Sequence, residues 1–129
     1  MADSVEHKVT VTAGMSAEEF IDRMYEAYGD EFNWWNPTVM KTFVDELITE
    51  LGEDDPFVLN RSISLAAKCE SCDDMLFCST GTDGSELWRI YHLTFSHCRE
   101  KTGFPLKWEF RDRKSALEYI RDMFIEDYL

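Results

Sequence analysis

The chain has 129 residues, 44% hydrophobic and 14% aromatic, with 26 acidic against 13 basic side chains and a formal net charge of −13. Such an apolar composition excludes intrinsic disorder in spite of the charge, and the length suits one domain. The charge argues against nucleic acid and anionic membranes as partners, because an acidic surface repels both. Residues 1–60 hold 14 acids against 3 bases, whereas residues 61–129 hold 12 against 10, so a basic partner would meet the N-terminal half.

No apolar stretch approaches the roughly 20 residues of a membrane span. The opening MADSVEHKV lacks the basic-then-apolar order of a secretory signal. A cytoplasmic location is therefore expected, in a reducing compartment where cysteines are thiols or metal ligands.

Val5 to Val11 alternates as an edge strand would, and Ser16 with Glu19 reads as a capping box opening a helix over residues 17–28. Phe20, Ile21, Met24, Tyr25 and Tyr28 fall at helical spacing, and Gly29 is a natural stop. Asn36-Pro37 has the form of an N-cap followed by proline at the first helical position. It predicts a second helix with Val39, Met40, Phe43, Val44, Leu47, Ile48 and Leu51 as its apolar stripe, closed by Gly52.

From residue 61 the period changes to two. Ile63, Leu65 and Ala67 mark one strand and Met75 to Ser79 the next; Leu87 to Ser96 and Pro105 to Arg111 follow, with Gly81-Thr82-Asp83-Gly84 as a turn. Leu117, Ile120, Phe124 and Tyr128 then share one face of a helix over about 115–128, with Asp112 as its N-cap. The order predicts a single α+β domain over residues 1–129: a four- or five-stranded antiparallel meander with two N-terminal helices and one C-terminal helix, packed on one face.

Cys69, Cys72 and Cys78 lie within ten residues, and Cys98 follows twenty positions later. Only Cys69 and Cys72 have the spacing of a zinc knuckle, and a second knuckle is missing. Asp73 and Asp74 oppose ionisation of the neighbouring thiols, and the pair leads into a strand rather than opening a helix as a redox pair does. Unligated thiols and no cofactor are the first expectation. A zinc-binding adaptor domain built on Cys69, Cys72, Cys78 and Cys98 or His97 is the alternative. Cys98 beside His97 does not read as a nucleophile and base, because neighbours in a strand diverge. No residue recommends itself as catalytic, and the protein is expected not to be an enzyme.

The acids form a pattern instead. Glu18, Asp22 and Glu26 repeat at i, i+4, i+8 along one side of the first helix, and Glu46 and Glu50 repeat it on the second. Asp30, Glu31 and the run Glu53-Asp54-Asp55 lie at helix ends. Like charges at these spacings weaken a helix by a few tenths of a kcal/mol per pair, so stability does not call for them; a cationic partner would. Between the helices, Trp34 and Trp35 either cover the core or anchor a partner, tryptophan being enriched at interface hot spots. All twelve are candidate partner-binding residues.

In size, acidity and α+β character the whole chain resembles the immunity proteins of bacterial polymorphic-toxin and contact-dependent inhibition systems. Trp88-Arg89-Ile90-Tyr91-His92-Leu93-Thr94-Phe95-Ser96 is similar to strands in some such families. The resemblance implies a cytosolic, non-catalytic protein that binds and blocks a cognate toxin domain, commonly a basic nuclease. It assigns no role to an individual residue.

Overall fold

The computed structural model describes residues 8–38, 40–101 and 103–128. Ser16 accepts a hydrogen bond from the Glu19 amide at 3.0 Å and so caps α1, Ala17–Tyr28, which Gly29 ends at a φ of 69°. A 3-10 turn, Gly29–Glu31, leads to β1, Trp34–Trp35. Then come α2, Lys41–Leu51, and four strands: β2 (Arg61–Cys69), β3 (Asp74–Gly81), β4 (Glu86–His92) and β5 (Leu106–Phe110). Helix α3, Arg113–Tyr128, follows, with the Asp112 carboxylate accepting from the Ser115 amide at 2.8 Å as its cap. The sheet is antiparallel throughout, in the order β1-β2-β3-β4-β5. No helix among the described residues is long and apolar enough to cross a membrane.

Three expectations change. Of the edge strand expected over Val5–Val11, residues 5–7 lie outside the described residues, and Val9 and Val11 are buried without strand pairing. The fifth strand among the described residues is the Trp34–Trp35 pair, set against Cys69 and Lys68 at the edge of β2. The second helix starts at Lys41 instead of after Asn36, because the Asn36 side chain donates to the Ala66 carbonyl at 2.7 Å and ties the chain to the sheet. Val39 and the Tyr128 side chain lie outside the described residues. The strand after the Gly81–Gly84 turn stops at His92, so His97 and Cys98 belong to a loop.

The helices also take both faces of the sheet. On one face, α1 and α3 bury Phe20, Ile21, Met24, Leu117, Ile120 and Phe124 against Ala67, Leu76, Cys78, Trp88 and Ile90. On the other, α2 and the segment after it bury Leu47 and Phe57 against Leu65, Met75, Phe77 and Tyr91. Strand β3 is therefore buried at every position from Met75 to Ser79, as the unbroken apolar run Met75-Leu76-Phe77-Cys78 requires of a strand covered on two sides.

A β-bulge makes β2 serve both cores. Leu65 pairs with Phe77 and Ala67 with Leu76, so Ala66 is the extra residue that reverses which side chains face which helix layer. Ile63 and Leu65 meet the α2 layer, while Ala67 and Cys69 meet α1 and α3.

Candidate functional site

The solvent face of α1 carries Glu18, Asp22 and Glu26, all exposed. None of the three carboxylates has a hydrogen bond or ion pair within the described residues, whereas Glu19 between them pairs with Arg23 at 3.5 Å. Asp30 and Glu31, also exposed, extend the row past the end of the helix. The last turn of α1 contains no basic residue. Negative charge at that end opposes the helix dipole, so although Glu18 in the first turn suits it, Glu26, Asp30 and Glu31 continue the row where α1 itself does not favour it.

The other predicted residues do not join it. Glu46 and Glu50 lie four apart on α2 and face the same way, but the loop after β4 covers them, leaving Glu46 7% and Glu50 0% exposed. Glu50 accepts from the Thr94 amide at 2.9 Å and the Phe95 amide at 2.8 Å, one on each oxygen. Glu46 accepts from the His97 amide at 3.0 Å and meets His97 Nδ1 at 2.8 Å. Left-handed backbone at Phe95 (φ 57°) and His97 (φ 61°) turns these amides inward. The two carboxyls also share a hydrogen bond, which holds Glu46 below the ordinary glutamate range; burial first, then that same bond, pushes Glu50 above it. These acids are a clamp on a loop, not a binding face.

Glu53 and Asp54 are exposed and Asp55 half-buried, all at the end of α2 on the opposite side of the sheet from α1. Asp54 pairs with Arg99 at 2.8 Å, and Asp55 accepts from the Phe57 amide at 2.8 Å. The Arg99 guanidinium covers Gly52, where an added Cβ would come within 2.8 Å of it.

The two tryptophans separate in the same way. Trp34 is 8% exposed and lies in the core beneath α1 and α3. Trp35, 37% exposed, points to the α2 face, as alternation along a strand demands.

Cys69 and Cys72 lie side by side, but the four cysteines do not converge. Cys69 and Cys78 are buried, while Cys72 and Cys98 are exposed. Cys98 follows the clamped loop on the α2 side, and Cys78 belongs to the core under α1 and α3. Among the described residues no three His, Cys, Asp or Glu side chains form a metal-binding group. Asn33 Nδ2 lies 3.8 Å and Ser71 Oγ 3.4 Å from Cys69 Sγ. Desolvation, the hydrogen bond with Cys69 and the negative charge of Asp74 push the Cys72 thiol up to about 12. Because only a thiolate alkylates readily, iodoacetamide at pH 8 should modify Cys72 at least ~100-fold more slowly than a free cysteine peptide. Mass-resolved peptide kinetics measure this, and peptide-like labelling of Cys72 would contradict the environment described.

His92 lies on the face of Trp88 and Ile90, is half-buried, and pairs with Asp74 at 2.8 Å. One feature escaped the sequence pattern. Strand β5 ends the sheet with Leu106 48% and Trp108 37% exposed, and Phe104 just before it 43% exposed. Its alternation was legible, but its place at an uncovered edge was not.

The chain thus presents a partnerless carboxylate row on one side and an apolar strand edge on another. Compared with known protein families, curated proteins and solved structures, it matches none.

Proposed function

We propose that this chain is a non-catalytic binding protein: a cytoplasmic immunity protein that neutralises a basic, nuclease-type toxin domain through the acidic face of α1. The observation that carries the reading is the exposed row Glu18, Asp22, Glu26, continued by Asp30 and Glu31, without a counter-ion among the described residues. Glu46, Glu50 and Trp34 are withdrawn from the binding set by burial. Glu53, Asp54, Asp55 and Trp35 belong to the far side of the sheet and are outside this face.

Such a row acts at long range. It steers a cationic surface toward α1, raises the association rate, and loses that advantage as salt shortens the Debye length to ~8 Å at physiological ionic strength. Native mass spectrometry of the protein purified gently from its own cells should find a basic polypeptide at fixed stoichiometry. Reversing Glu18, Asp22 and Glu26 together to lysine should then slow association at least ~10-fold at low salt in stopped-flow measurements, with a flatter salt dependence. A basic partner whose on-rate ignores the reversal would move the contact away from α1.

A further inference from the structure

The outer edge of the sheet at β5 is open. Among the described residues no strand lies beyond it, and its pairing with β4 runs from Trp88↔Phe110 to His92↔Leu106 without a bulge. From Leu106 to Glu109 every residue is exposed. An edge of unpaired backbone groups beside exposed apolar side chains is a template for another strand. Proteins commonly blunt such edges with proline, bulges or charged side chains; Pro105 stands just before β5, but inside the strand there is no proline and no bulge, and its two charges, Lys107 and Glu109, have opposite sign, so that a second copy can pair with them.

The sequence of β5 reads as its own complement. An antiparallel pairing of two copies centred on Trp108 sets Trp108 opposite Trp108 and Leu106 opposite Phe110. It also sets Lys107 of each copy opposite Glu109 of the other, so both charge pairs are favourable and all three apolar pairs lie on the other face. Opposite charges or apolar residues directly across a strand pair stabilise it. A two-fold axis needs this kind of self-matching surface.

The local charge opposes the approach of a second copy only mildly, and physiological salt screens it. Residues 99–114 contain six bases (Arg99, Lys101, Lys107, Arg111, Arg113, Lys114) against three acids (Glu100, Glu109, Asp112), although the chain as a whole stands at −13. The acidic row of α1 is therefore remote in charge character from this edge. Within one copy Glu109 pairs with Arg89 at 2.8 Å and has Lys107 at 3.7 Å; in the pair, the second copy's lysine comes directly across from it.

We propose that β5 is a homodimer edge: two copies join Leu106–Phe110 antiparallel about Trp108 into one continuous sheet. A five-residue strand pair is smaller than the roughly 1,200 Å² and upward of stable interfaces, so the association is weak and concentration-dependent. The site is independent of the α1 face, and the dimer does not require the toxin-binding role.

Sedimentation equilibrium at 150 mM salt, from low micromolar to millimolar protein, tests it. The mass should climb from the 15.1 kDa chain toward twice that value. Lys107→Glu places acid opposite acid and Glu109→Lys places base opposite base, so each variant alone should associate at least tenfold more weakly. Mixed in equal amounts, the two variants should associate again to within about threefold of the parent, since each copy then faces complementary charges. Variants that were merely damaged would not recover on mixing. A parent that stays at 15.1 kDa at millimolar concentration overturns the proposal and leaves the edge to a different protein. Singles that dimerise as the parent does, or a mixture that stays monomeric, overturn the register.

Discussion

Replacing Glu50 by alanine should lower the unfolding free energy by about 3–5 kcal/mol, the scale of removing one partner from a buried charge-assisted network. Two inward-turned amides, those of Thr94 and Phe95, lose their acceptor at once. The Glu100 amide still donates to the Glu50 carbonyl at 2.9 Å and the His97 amide to Glu46 at 3.0 Å, so the loop keeps two of its tethers. Urea titration measures the loss, and hydrogen exchange should show residues 94–97 opening first. A variant within 1 kcal/mol of the parent would mean that water serves those amides equally well.

The same pair makes stability depend on pH. The folded-state pKa of Glu50 lies above its unfolded value. Its contribution is therefore full below the ordinary glutamate pKa and lost as pH rises through the raised value. Glu46 is depressed, so its contribution is full above the ordinary value and lost as pH falls through the lowered one. The two titrate as a unit, and their joint contribution is greatest near the ordinary glutamate value of about 4.3. Glu50→Gln cannot ionise. The stability of the parent relative to this variant should therefore decline from pH 5 to pH 8, and a flat difference would refute the shared proton.

Deleting Ala66 should leave the fold intact. Leu65 and Ala67 then become neighbours, and they already face opposite sides of the sheet across from Phe77 and Leu76, so the deletion restores plain alternation and turns no side chain to the other face. What is lost is the Ala66 carbonyl that accepts from Asn36 at 2.7 Å, together with the local twist of the bulge. The expected cost is about 1–3 kcal/mol. Near-UV circular dichroism should stay native-like, and the melting temperature should fall by several degrees. A deletion variant without a near-UV signal would show that the bulge, and not the alternation around it, holds β2 between its two cores.

What was legible in the sequence was local. Ser16 and Asp112 were readable as caps because their hydrogen bonds reach only three residues ahead. The meander was readable because each strand keeps its period and the connections are short. Asn36 misled because its side chain satisfies a carbonyl thirty residues away instead of the next turn of helix. β1 has two residues and therefore no period. The acids divided for the same reason. Glu18, Asp22 and Glu26 have the same spacing as Glu46 and Glu50, and only the covering loop tells a solvated row from a buried one. The two-sided sheet had left a trace in Met75-Leu76-Phe77-Cys78, which does not alternate.

Because α1 and α3 share one layer, residues far apart in the chain meet there: Arg113 donates to the Ala13 carbonyl across 100 positions, and Arg121 to that of Val9 across 112. Phe124 stacks edge-on against Tyr28 and Phe32. During synthesis, α1 leaves the ribosome before the strands it packs on, and its layer is complete only when α3 arrives beside it on the same face of the sheet. Contacts of such sequence separation slow folding. Until then the carboxylates of α1 give that segment a negative charge that opposes its association with the same segment of another chain.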